Sequence, residues 1–372
     1  MHPPPFRFEA TQEGARSNFQ VLQAHDMCLD SVLNSASFSP NSFGSEFRDP
    51  KILEPLYGSH PSWPEMKSIL ETGCSFPSKE LDEATRLADL NAAMLRGNHK
   101  SAKGEKAIIL EEKTKKDIAN GWCLPLLVDH APSIPTAMFA PIDIAEQATI
   151  NERGEFIPKN RQIHNQSFKQ AVSNTSVNDL VDKEQLAPCF YGHMLLRFIH
   201  CIVGYRLRNP TSRILLTKAD IDSAYRRSHT NAKAAAKSLM WIITGGIKLL
   251  IMCLRLTFGA SPCPSKWSSL SEPICDLSNA IFKCDDWDPD ELQSPMVTMF
   301  PPPVILPDTI PFAPARSVAV DLPNDDGGKT DLFLDDLCSL IVDTGELSRK
   351  RLLLFLFRRS HLLDVFGLEI FS

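Results

Sequence analysis

Two carboxylates stand side by side at Asp335-Asp336, between the apolar runs 332–334 and 337–342. Adjacent anions at the end of a hydrophobic hairpin repel each other and resist ionisation unless a cation neutralises them. Mg²⁺ is the natural partner for hard oxygen donors of this kind. A solvated Asp-Asp turn is the other reading this fragment leaves open. Asp220 closes the apolar strand predicted over 213–221, where an acid can also serve as the N-cap of a following helix. A third carboxylate beside Asp335 and Asp336 would complete a two-metal site, with ions about 3.5–4 Å apart clamping the attacking and leaving oxygens of a phosphoryl transfer. A third segment, 258–267, places Phe258, Gly259, Pro262 and Pro264 in a stiff loop that opens a helix. Helix N-termini favour phosphate, although an ordinary loop-to-helix junction has the same pattern.

These residues need elements to position them. Apolar spacing predicts helices over 64–72, 79–96, 105–120, 190–207, 223–238 and 264–283. Residues 124–150 read as loop and short strand because prolines interrupt them, and 155–168 reads as a strand. Residues 239–256 form two apolar strands joined at Gly245-Gly246, a hairpin signal. A strand series is expected at 317–322, 330–334 and 337–342, with a tight turn near Asp326-Gly327. Residues 1–50 are polar, rich in Ser, Asn and Phe, and aperiodic, so they are expected to be disordered.

The chain has 372 residues, 43% hydrophobic and 23% charged, which suits two to three domains with real cores. Its 28 prolines outnumber its 17 glycines, and the excess clusters in a connection over 285–316. No apolar run reaches the ~20 residues of a membrane span, and the start lacks a signal-peptide pattern. None of the ten cysteines forms a CxxC pair or sits at zinc-ligand spacing, so reduced, buried thiols in an intracellular protein, cytoplasmic or nuclear, are expected. The net charge of −6 argues against nucleic acid as a partner, but residues 153–227 carry twelve Lys and Arg against six Asp and Glu.

In order along the chain, these segments resemble the polymerase motifs of reverse transcriptases. Residues 217–227, Thr-Lys-Ala-Asp-Ile-Asp-Ser-Ala-Tyr-Arg-Arg, are similar to motif A. Residues 255–267, from Arg-Leu-Thr-Phe-Gly to Trp, are similar to motif B, and Phe333-Leu334-Asp335-Asp336 resembles the Tyr-x-Asp-Asp box of motif C. Residues 158–168 are similar to the fingers segment that meets the incoming triphosphate. The combination resembles polyproteins of LTR-type and DIRS-type retrotransposons, over about residues 97–350.

The resemblance implies an α+β fold of right-hand type, with fingers and an antiparallel palm sheet packed on helices. It divides the chain into a helical extension over 51–150, fingers over 151–213 and 229–261, motif A over 214–228, and palm over 262–345. A tail covers 346–372. It implies an RNA-directed DNA polymerase that uses Mg²⁺, or Mn²⁺ in its place, held by Asp220, Asp335 and Asp336. Its partners would be dNTP and an RNA or DNA template with primer, with RNase H and integrase domains encoded elsewhere and no membrane. Lys159 and Arg161 would meet the triphosphate, and Tyr225 would gate the sugar. Phe258 and Gly259 would line the nucleotide pocket, while Pro264 and Trp267 set the motif B helix. Asn165 departs from the usual Asp, and Phe333 from the usual Tyr. The 36 residues after Asp336 leave no room for a thumb, so a truncated domain is expected. The alternative is a catalytically dead nucleic-acid-binding relic. A scaffold with accidental motifs would keep Asp220 and Asp335 far apart. Asp343-Thr344-Gly345 imitates an aspartic-protease signature, but it falls inside the expected palm hairpin.

Overall fold

The computed structural model describes residues 6–35, 42–151, 153–189, 191–284 and 327–352. Helices and small antiparallel sheets alternate along the chain, the α+β class expected. The chain divides into two compact units, each assembled from separate segments. One comprises Met1–Ser45, Lys67–Leu186 and Tyr225–Lys266; the other comprises Glu46–Met66, Ala187–Ala224 and Trp267–Ser372.

The first unit is built on the antiparallel sheet β1-β6-β5, from β1 (Cys123–Leu127), β5 (Leu239–Thr244) and β6 (Ile247–Cys253). The β5–β6 turn is Gly245-Gly246, with φ of 55° and 78°, the two left-handed residues that a type I′ turn requires. Central strand β6 is buried from Leu249 to Cys253, and its side chains alternate between two cores. Leu250 and Met252 pack with Phe19 and Leu22 of α1 (Gln12–Ala24), whereas Leu249 and Ile251 pack with Leu110 and Ile118. Pro125 is tolerated in β1 because that strand lies at the sheet edge. A second pair, β2 (Ile142–Ile150) and β3 (Phe156–His164), forms a hairpin of nine residue pairs whose far end exposes Ile150 and Phe156.

Two expectations fail in this unit. Within the segment expected to be disordered, residues 6–35 hold α1 and a second helix, α2 (Leu29–Ser35). Thr11 Oγ1 accepts the Gly14 N–H at 3.0 Å and caps α1, and Phe19, Leu22, Leu29 and Leu33 are buried. Each such side chain contributes about 1.5–3 kcal/mol on burial, enough to hold a short stripe that polar composition conceals. The helix expected over 223–238 breaks into 224–227 and 232–236. Between them the backbone pairs with its neighbours: Thr230 N–H donates to Leu254 O at 2.9 Å, and Cys74 N–H donates to His229 O at 2.7 Å. Asn231 then caps the second piece by accepting the Ala234 N–H.

The second unit is built on the antiparallel sheet β4-β8-β7, from β4 (Ile214–Asp220), β7 (Lys329–Phe333) and β8 (Asp336–Val342). The helix Met194–Arg208 covers one face, where Cys201 and Tyr205 pack against Leu340 and Val342. On the other face Leu215 and Ile341 meet Leu352 of the helix Glu346–Leu352. Arg197 locks its helix to β7 with a two-pronged bond to Asp331, at 2.8 and 2.7 Å. The proline-rich connection over 285–316, the strand expected at 317–322 and the tail beyond Leu352 lie outside the described residues.

Candidate functional site

Register brings the carboxylates together. In the β4–β8 ladder Asp220 stands opposite Asp336. Phe333 also pairs with Asp336, so the β7–β8 turn is the two-residue loop Leu334-Asp335, one residue earlier than an Asp-Asp turn. Leu334 takes a positive φ of 58°, costly for a branched side chain, and its surroundings hold it there. Trp267 Nε1 donates to Leu334 O at 2.9 Å, and Ile221 N–H donates to Asp335 O at 3.1 Å. Trp267 is fully buried, so it supports the turn from within the core.

One oxygen from each of Asp220, Asp335 and Asp336 lies within 4.8 Å of the other two. Among the described residues no other group of three His, Cys, Asp or Glu meets in this way. The far-apart placement of Asp220 and Asp335 that a scaffold reading expects is not what the structure has. Burial pushes the Asp335 carboxyl above its ordinary value, the charges of Asp220 and Asp336 push it further, and Lys218 opposes them. Three oxygen donors, one of them resisting ionisation beside two others, fit a hard divalent cation.

Lys218 is the residue that motif reading passed over. Its Nζ lies 2.9 Å from Asp336 Oδ1, and this hydrogen bond raises its own pKa. The signal was present: Lys218 precedes Asp220 by two residues, and the strand period of two places both on one face.

Lys159, Arg161, Tyr225, Phe258 and Gly259 belong to the first unit, and the three acids to the second. Tyr225 is buried, and its ring packs against the half-exposed Phe258 with centroids 4.8 Å apart. Gly259 adopts a φ of 115°, and any Cβ there would run into His164 O. Its loop is anchored by His164 N–H to Phe258 O at 3.1 Å and by Asn178, which donates to Gly259 O and accepts Ser261 N–H, both at 2.8 Å. Lys159 and Arg161 are exposed and, two residues apart on β3, share one face. Phe333 keeps an aromatic environment, edge-on to Tyr191 at 5.3 Å.

The protease-like Asp343 is an ion-paired structural residue. Its side chain is fully buried between Arg213 Nε and Arg349 Nε, both at 3.0 Å. Burial pushes Asp343 up, but the hydrogen bonds from Arg349 and Arg213 outweigh it and leave the carboxyl below its ordinary value. No helix among the described residues is long and apolar enough to cross a membrane. No family model matches the chain, and no curated protein matches it.

Proposed function

We propose that this chain is the RNA-directed DNA polymerase domain of a retrotransposon, transferring a nucleotide from dNTP to a primer 3′-hydroxyl. The observation that carries this reading is the meeting of Asp220 at the end of β4, Asp336 at the start of β8 and Asp335 in the turn before it, in the motif order the sequence anticipates. Asp220, Asp335 and Asp336 would hold two Mg²⁺ ions, which supply charge stabilisation at the attacking and leaving oxygens. Tyr225 and Phe258 offer ring surface for sugar and base, and the bulk of Tyr225 disfavours a 2′-hydroxyl. Gly259 lets its backbone lie against His164 O and so sets the position of the adjoining Phe258. Lys159 and Arg161 offer cationic groups to the triphosphate, and the basic stretch 153–227 suits a primer-template. The work of these side chains is positioning and charge complementarity.

Purified full chain given primer-template, dNTPs and Mg²⁺ is expected to extend the primer in a template-dependent manner, and Asp335→Ala is expected to abolish it. No extension, or extension that survives Asp335→Ala, overturns the reading. The Lys218–Asp336 ion pair favours a second reading, a polymerase-derived nucleic-acid-binding relic whose acids are neutralised from within. That reading expects salt-sensitive binding, indifferent to loss of Asp220 and Asp336, and no incorporation.

A further inference from the structure

Away from the carboxylates, the first unit holds two thiols face to face. Cys123 opens β1, Cys253 closes β6, and the two are register partners. Leu254 N–H donates to Trp122 O at 2.9 Å, which makes 122 and 254 the hydrogen-bonded pair. Cys123 and Cys253 therefore occupy the next, non-hydrogen-bonded position, where strands bring Cα atoms to about 4.5 Å and side chains closest. That spacing falls inside the range a disulfide spans, about 4.4–6.8 Å between Cα atoms. The two Sγ atoms lie 3.8 Å apart and both residues are fully buried.

Cys253 belongs to a hydrophobic core, but polar groups reach its sulfur. His164 Nε2 lies 3.9 Å from its Sγ, and His164 Nδ1 is buried with no hydrogen-bond partner among the described residues. Arg226, which donates to Asp117 at 2.9 Å, adds positive charge beside the sulfur. The hydrogen bond from Cys123, with His164 and Arg226 behind it, draws the Cys253 thiol well below its ordinary value, and Cys123 is pushed up as the donor. One thiol is thus set up as nucleophile and the other as the resolving partner.

We propose that Cys123 and Cys253 are a redox-active pair that hydrogen peroxide closes into a cross-strand disulfide and that thiol reductants reopen. The Cys253 thiolate attacks one peroxide oxygen; an S–O bond forms and the O–O bond breaks. The departing hydroxide takes the proton lost by Cys253, by way of His164, and leaves as water. The Cys123 sulfur then displaces the sulfenic hydroxyl; the S–S bond forms, the S–O bond breaks, and the Cys123 proton leaves with the second water. Two thiols lose two electrons and one peroxide becomes two waters. The product would be felt nearby, because the His164 backbone anchors the Phe258-Gly259 loop.

The test treats reduced full-length protein with equimolar peroxide, then denatures it in alkylating reagent and maps its peptides without reduction. The expected result is a linked peptide joining Cys123 to Cys253, abolished by dithiothreitol. It should form at least about ten-fold faster than any oxidation of Cys74 or Cys263, buried thiols that serve as internal controls. In Cys123→Ser, dimedone should trap a sulfenic acid at Cys253; in Cys253→Ser, Cys123 should stay unmodified. Absence of the linked peptide in the wild type, oxidation no faster than at the control thiols, or trapping at Cys123 instead of Cys253 overturns the proposal. The wild-type measurement stands alone should either variant fail to fold.

Discussion

The two ends of the β4-β8-β7 sheet treat negative charge in opposite ways. At the end where β4 stops and β8 starts, three carboxylates crowd together with Lys218 bonded to one of them. At the end where β8 stops, a single buried carboxylate, Asp343, is gripped by Arg213 and Arg349. Burial penalises the charge at both ends. At Asp343 two guanidiniums outweigh that penalty, whereas at Asp335 the neighbouring acids add to it. The same strands thus provide a brace at one end and a charge-frustrated cluster at the other. Frustration of this kind costs stability.

The sharpest break of this contrast is in activity. Asp335→Asn is expected to lower nucleotide incorporation by about 10²–10³ or more, the scale on which a transition-state charge partner acts. Steady-state primer extension measures it, and an unchanged rate would make the acidic end a second brace. Next in size is Asp343→Ala. Removing the carboxylate that Arg213 and Arg349 share should cost about 3–5 kcal/mol of stability, read from urea titration. The contribution of Asp343 should be complete above its unfolded value of 3.8 and vanish as pH falls through its lower folded value. A wild-type acid titration paired with the variant reads that window. A third test lies outside the sheet. Gly259→Ala must accept a left-handed backbone and displace His164 O, and should cost about 1–3 kcal/mol or more. The smallest effect has the opposite sign. In chelator at neutral pH, Asp335→Asn should stabilise the protein by less than about 1 kcal/mol, because it removes a penalised charge. Asp335 has a raised folded pKa, so the wild type gains stability as pH falls through that value, and the gap should then close. Thermal melts across pH settle this sign.

What could be read in advance follows physical range. The β5–β6 hairpin was readable because Gly245-Gly246 and the flanking apolar runs are neighbours in sequence. The three acids were readable because Asp220 closes one apolar strand, Asp335-Asp336 stand between two apolar runs, and the motif order joined them. Lys218 was missed because its partner depends on register between strands more than a hundred residues apart. The N-terminal helices were missed because polar composition outweighed two short stripes at helical spacing, Ala15, Phe19 and Leu22, then Leu29, Val32 and Leu33. The break at 228–231 was missed because its cause is pairing with Cys74 and Leu254, which local propensity does not register.

The β4–β8 ladder has one further consequence. The partners Asp220 and Asp336 have 115 residues between them, 221–335, whereas β5 and β6 are joined by two. Closing so long a loop incurs an entropy cost before any contact repays it, and non-local pairing of this kind slows assembly. The hairpin can form while most of the chain is unordered, but the acidic cluster exists only after β4 and β8 have met. During refolding, divalent-ion affinity should therefore arise late, after amide protection in β5 and β6, and would serve as a clock for completed assembly.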